Sequence, residues 1–218
     1  MANMAMVIPL TQKSSSSSLA GQNGCITERT RLKGPSAESE PVYSELPPNF
    51  GEVVEGIYRS AFPGSWNLPA LKNLGLKTII TLVEEPYGVS HVSFLREHGI
   101  AHFRVIVQAN KAPEEKTPDH VINGILEILL NQANHPILIH CNKGKHRTGC
   151  VVACFRKLQG WNLRDVLDEY LSYSWPKSRV LDEKFIEAFD TSKLDHTAKD
   201  SGAHLWRPTG NYKIQRRT

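Results

Sequence analysis

The sequence predicts an α/β fold, a mainly parallel central sheet flanked by helices, and three observations carry that prediction. Four short apolar runs are spaced along the middle of the chain: GIYRS around Ile57, KTIITLV from Lys77, AHFRVIV from Ala101 and PILIH from Pro136. Segments with a helical apolar repeat lie between them, and strands alternating with helices build parallel sheets covered on both faces. The last run passes directly into HCNKGKHRTGC, a turn crowded with cations and glycines, before another helical repeat. Ligands in such folds gather beyond the carboxyl ends of strands, where that turn falls.

The elements follow in order. Residues 1–44 contain SSSSS, scattered Gly and Pro and no sustained period. Such a segment has too little apolar surface to offset the entropy of ordering, and is expected to be disordered. Residues 45–192 are expected to form one domain, and residues 193–218 a polar tail closing on the basic KIQRRT. Helices are predicted from Leu68 to Leu74, from Val89 to His98 and from Pro118 to Gln132. The third is the firmest, because Val121, Ile122, Ile125, Leu126, Ile128 and Leu129 share one face. Thr117 is its predicted N-cap, with Pro118 in the first helical position. After the cationic turn, Val151, Val152, Phe155 and Leu158 repeat at helical spacing until Gly160 ends them. Asn162 then caps a helix carrying Leu163, Val166, Leu167, Tyr170 and Leu171.

Bulk properties exclude several classes. Of the 218 residues, 40% are hydrophobic and 22% charged, which is ordinary for a globular protein and rules out a fibrous or wholly disordered chain. A net charge of +4 is mild, so no nucleic-acid partner is expected, and KIQRRT reads as solvated charge. No apolar run approaches the roughly 18 residues of a membrane span. The opening MANMAMVIPL has no cation ahead of its apolar patch, so no secretory signal is expected. Cys25, Cys141, Cys150 and Cys154 are unevenly spaced, as suits free thiols in a reducing compartment, the cytoplasm or nucleus.

The cationic turn carries the chemistry. With Cys141 at a strand end, Gly144 and Gly149 let the backbone turn tightly and aim its N–H groups at an oxyanion. A helix beginning near Arg147 adds its positive end. Arg147 can grip a phosphoryl group through two parallel hydrogen bonds, which a lysine cannot reproduce. The same groups favour the anion of Cys141, the nucleophilic form. Thiolate attack on phosphorus gives a cysteinyl-phosphate that water then hydrolyses, a route needing no metal or other cofactor. Thr148 is placed to hydrogen-bond Cys141 and assist the second step, or else is only a helix-start hydroxyl. His140 orients the loop or is a satisfied structural histidine.

HCNKGKHRTG resembles the signature of cysteine-dependent phosphatases, and its KGKHRTG core is similar to the plant and fungal atypical dual-specificity phosphatases. NFGEVVEGIYRSAFP, the TPDH helix start, NHPILIHCNKGKHRTGC and EYLSYSWPKSRVLDEKFIEAF extend that resemblance over about Pro48 to Asp190. It implies a cysteine-phosphatase fold, Cys141 as nucleophile, Arg147 as phosphate grip, and substrate contacts at Asn142, Lys143, Gly144, Lys145 and His146. It also implies an inositol pyrophosphate as the small polyanionic substrate. A broader protein tyrosine or phosphoinositide phosphatase, acting on a phosphoprotein or lipid, and an inactive phosphate-binding module are the alternatives.

Rival motifs fit less well. A nucleotide P-loop needs Lys and then Ser or Thr where Cys150 and Val151 stand. His140, Cys141, His146 and Cys150 have no familiar zinc spacing, and neighbouring cations oppose a dication. A sulfurtransferase loop also places a cysteine after a strand, but Arg147-Thr148-Gly149 favours phosphate. Cys150 and Cys154, four apart on one helical face, read as small core residues.

Phosphatases acting on alcohol or phenol esters usually place an aspartate after the preceding strand, to protonate the departing oxygen. Here that region reads VIVQANKAPEEKTPDH, leaving Glu114, Glu115 and Asp119. Asp119 is the candidate general acid, although a first-turn aspartate also suits the helix dipole without catalysis. A diphosphate departs as a phosphate monoester with a pKa near 6 and needs little proton assistance. Lys111, Lys177 and Arg179 are predicted to extend the positive surface, with solvated charge as the plainer reading.

Overall fold

The computed structural model describes residues 45–112 and 114–212. The expected disorder of residues 1–44 and the basic KIQRRT lie outside the described residues. A five-stranded sheet forms the centre, in the spatial order β1 (Gly51–Val54), β2 (Ile57–Ser60), β5 (Ile137–His140), β3 (Thr78–Thr81), β4 (Ala101–Arg104). Strands β2, β5, β3 and β4 run parallel, and β1 pairs antiparallel with β2. The four apolar runs supply the parallel strands. Strand β1 is not among the predicted elements, because GEVV is short and carries a glutamate. The signal for it is Gly56, whose φ of 78° makes the tight turn into β2.

Strands β2, β3 and β5 are buried at every position, as parallel strands covered on both faces must be. Alternation sorts their side chains. Tyr58, Ile79 and Leu138 pack with Leu71 of α1 (Leu68–Lys72) and with Phe94 and Leu95 of α2 (Val89–Glu97). Ile57, Ile80, Ile137 and Ile139 face the other layer. That layer holds α3 (Asp119–Leu130), α4 (His146–Leu158), α5 (Leu163–Ser174) and α6 (Val180–Ala188). Ser60, Thr81 and His140 stand in register across the three strands, so β2, β3 and β5 end at one level and Cys141 leaves from the middle.

Two local expectations change. Asn162 does cap α5, accepting from the Asp165 N–H at 3.0 Å. Thr117 does not cap α3: its hydroxyl accepts from the Gln108 N–H at 2.7 Å, which closes the base of the β4–α3 loop instead. The polar tail predicted from Lys193 also differs. Leu194, α7 (Asp195–Asp200) and Ala203 pack on the domain, with Leu194, Ala198 and Ala203 buried. Trp206 lies against Phe155, and Tyr212 against Phe50 and Tyr58. Glu52 accepts from the N–H groups of Thr209 and Gly210. The sequence conceals this because the anchoring residues are isolated among polar ones, with no periodic stripe.

Candidate active site

Cys141 follows the last residue of β5, is 3% exposed and carries a free thiol. The loop that follows it turns three consecutive carbonyls outward. Asn142 O accepts from the Phe62 N–H at 3.2 Å, Lys143 O from Asn49 Nδ2 at 2.8 Å, and Gly144 O from Arg59 Nη2 at 2.9 Å. In a planar trans peptide the N–H points opposite to the carbonyl. The N–H groups of Lys143, Gly144 and Lys145 are therefore directed to the inner side, forming a cradle for anionic oxygens.

Gly144 is required twice over. Its φ is 65°, and a Cβ there would come within 2.5 Å of the Ser60 carbonyl carbon and oxygen, because the loop sits directly on the end of β2. Helix α4 begins at His146 and directs its positive end at the same cradle. Gly149 serves a neighbouring contact: a Cβ would lie 2.9 Å from the Tyr170 ring, against which α4 packs.

Behind the loop stands Arg59, which sequence reasoning missed. It is 1% exposed, its guanidinium lies 3.6 Å from the Tyr173 ring centroid, and its Nε and Nη1 have no hydrogen-bond partner among the described residues. Burial lowers its pKa. Nothing local in YRS announces this role. The closest signal is an arginine inside an otherwise apolar buried strand, which demands a partner.

A cavity of about 1090 Å³ opens above Cys141. Asn142, Lys143, Lys145, His146 and Arg147 line it, as do Lys111, Lys177 and Arg179 from two separate segments. Gly144 lies in the loop but not on the cavity wall. Some of these groups also hold the loop. Lys145 Nζ donates to Trp175 O at 2.7 Å, His146 Nε2 bonds Lys177 O, and Asn142 Nδ2 donates to Glu85 Oε1 at 2.9 Å. Burial lowers the pKa of His146, so its ring is held toward the neutral form. Glu84, Glu85 and Glu115 give the cavity a minor acidic share. Arg147 has no ion-pair partner among the described residues.

Two expectations about catalytic side chains are corrected. Asp119 does not line the cavity; its carboxylate pairs with Lys116 at 3.1 Å, and of the acid candidates Glu115 alone is on the wall. The first turn of α3 follows the loop that approaches Cys141. Thr148 is buried, but its hydroxyl makes no hydrogen bond, to Cys141 or to any other described residue.

His140 is fully buried and bonds sideways more than to the loop. Its Nε2 lies 2.6 Å from Tyr87 Oη and 3.1 Å from Thr81 Oγ1, while the contact of Nδ1 with Cys141 O is long at 3.5 Å. Tyr87 stacks on both His140 and His102. Burial pushes His140 down to about 3 and His102 to about 4, so both are neutral rings in a packed cluster. Cys150 and Cys154 are buried, and burial raises both thiols above their usual range, which matches their reading as core residues.

Known proteins are similar to this chain in sequence and fold. The chain is 45% identical over 163 residues to the inositol diphosphatase SIW14 of Saccharomyces cerevisiae, covering 74% of this chain and 57% of that protein. It is 47% identical over 152 residues to the inositol diphosphatase DSP1 of Oryza sativa, covering 69% of this chain and 68% of the relative. The chain thus spans little more than half the length of the yeast relative. The crystal structure of the core catalytic domain of the S. cerevisiae PP-IP phosphatase SIW14, in complex with citrate, superposes with a TM-score of 0.69 at 41% identity, covering 75% of this chain and 98% of that one. A family model described as the tyrosine phosphatase family matches residues 46–207, so on sequence, fold and loop geometry together the chain belongs to that family.

Proposed function

We propose that the chain removes the terminal phosphate of inositol pyrophosphates through a cysteinyl-phosphate at Cys141. The observation that carries this reading is charge. Six Lys and Arg side chains line the cavity above Cys141 against three glutamates, more than one phosphate dianion requires and well suited to a crowded polyanion. The names of the yeast and rice relatives support the same substrate class.

In the first step the Cys141 sulfur attacks the terminal phosphorus in the cradle. The bond from phosphorus to the bridging oxygen breaks, and the inositol phosphate departs with the electron pair. The inward N–H groups and Arg147 hold the equatorial oxygens as charge shifts. Water then attacks phosphorus, the S–P bond breaks, and inorganic phosphate leaves as the thiolate is restored. A departing phosphate monoester has a pKa near 6, so the first step proceeds without Asp119. The unpaired Cys141, Cys150 and Cys154 support a reducing compartment, cytoplasm or nucleus. No helix among the described residues is long and apolar enough to cross a membrane.

Turnover of an inositol pyrophosphate, a phosphotyrosyl peptide and a phosphoinositide, compared in one buffer, tests the reading. The pyrophosphate is expected to show the highest kcat/KM, and Cys141→Ser to abolish turnover of all three. A preference for the peptide or the lipid overturns the substrate assignment. Phosphate binding without turnover overturns the enzyme itself.

A further inference from the structure

Asp182, in the first turn of α6, is 1% exposed and has no ion-pair partner among the described residues. Removing a carboxylate from water without a countercharge is costly, so its neighbours must explain it. Its Oδ1 accepts from Asn110 Nδ2 at 2.9 Å, and its Oδ2 accepts from the Tyr170 hydroxyl at 2.7 Å. Asn110 is itself buried, and its Nδ2 also lies 3.8 Å from Cys150 Sγ. One carboxylate thus joins the β4–α3 loop to α5 and α6.

The two segments that it joins carry the outlying cations. Asn110 immediately precedes Lys111, which lines the cavity. The β4–α3 loop has little regular structure. Its base is closed by Gln108 and Thr117, and its next backbone bonds are local ones, Lys111 N–H to Ala109 O and Glu115 N–H to Ala112 O. Asn110 therefore ties the middle of the loop to the helical layer. Lys177 and Arg179, also on the cavity wall, directly precede α6, whose N-terminal turn Asp182 anchors. Lysine and arginine bind a polyanion well only when their long side chains start from fixed backbone positions.

We propose that Asp182 is a positioning residue for polyanion binding: through Asn110 it fixes the loop that presents Lys111, and through α6 it fixes the segment that presents Lys177 and Arg179. It touches neither substrate nor Cys141. This role rests on the reading of the cavity as a polyphosphate site. A small aryl phosphate, held by the cradle and Arg147 alone, is indifferent to it.

The test uses the full chain turning over p-nitrophenyl phosphate, with inositol hexakisphosphate and, separately, inorganic phosphate as competing inhibitors. Asn110→Ala and Asp182→Asn are each expected to weaken inhibition by inositol hexakisphosphate about tenfold while aryl phosphate kcat stays within about twofold. The exchange of both, Asn110→Asp with Asp182→Asn, restores an amide–carboxylate hydrogen bond and is expected to recover most of the inhibition. Tyr170→Phe removes the bond that holds Asp182 and α6 to α5 and is expected to weaken the same inhibition by a smaller factor, with aryl phosphate kcat unchanged. The proposal is overturned if Asn110→Ala leaves inhibition unchanged or if aryl turnover falls in parallel. Wild-type protein that binds inositol hexakisphosphate no better than inorganic phosphate overturns the polyphosphate reading, and the positioning role with it. Discrimination in the wild type that persists in the variants overturns the positioning role alone.

Discussion

The Nη2 atom of Arg59 donates to the carbonyl oxygen of Gly144 at 2.9 Å, from a guanidinium with no other acceptor among the described residues. A buried cation with a single hydrogen bond, to a neutral acceptor, is an unfavourable arrangement by itself. What it holds in place is the loop that begins at Cys141.

Arg59→Met is therefore expected to separate activity from stability. A charge-assisted hydrogen bond contributes about 1.5–3 kcal/mol, so its loss from the loop is expected to lower kcat/KM by about 10- to 100-fold. Replacing an incompletely bonded buried charge by an apolar group of similar size is close to neutral for folding. Steady-state kinetics and a thermal melt on one preparation check both halves, and a large fall in Tm with unchanged kcat/KM contradicts the assignment.

Gly144→Ala acts on the opposite side of the same contact. The left-handed backbone costs an L-residue about 1–2 kcal/mol, and the new methyl would meet the Ser60 main chain, which has nowhere to go. The loop is expected to lift from β2, with kcat/KM falling by more than about 100-fold while the sheet stays folded. A crystal structure of the variant checks the displacement, and unchanged kinetics refutes it.

The first part of this geometry is legible in the sequence and the second is not, for a physical reason. Cys141, Gly144 and Arg147 are close neighbours in the chain, so local backbone rules and charge suffice to read the cradle. Arg59 and Asn49 meet it from 85 and 94 positions away, and only packing reveals which buried side chain faces which carbonyl. Likewise the parallel strands are legible from apolar runs, whereas Trp206 and Tyr212 act singly and leave no period. Thr117 misleads because a hydroxyl beside a helix start can equally bond a distant N–H, here that of Gln108.

Acid is expected to weaken the protein through His140. Its pKa is depressed to about 3 in the folded chain, against about 6.5 when unfolded. Between those values the unfolded state binds the extra proton, so stability is complete above about pH 6.5 and falls as the pH drops toward 3, by up to about 1.4 kcal/mol per pH unit. His102, depressed to about 4, adds to the same slope. Urea midpoints measured between pH 7 and pH 4 check the sign, and His140→Asn is expected to flatten the profile.

Arg156 forms the other buried cation centre. Its Nε and Nη2 grip both carboxylate oxygens of Glu169 at 2.8 and 2.9 Å, Nη1 donates to Gln159, and Nη2 also bonds Val53 O. Glu169→Leu strands that guanidinium and is expected to cost about 3–5 kcal/mol. Arg156→Met with Glu169→Leu is expected to recover much of the loss, measured as a double-mutant cycle in urea. Additive losses contradict the coupling.

Because β5 lies between β2 and β3, the nucleophile is rooted in the strand least able to fray. Local openings begin at edges and termini, so the amides of Ile137, Leu138 and Ile139 should exchange with deuterium only when the whole domain unfolds.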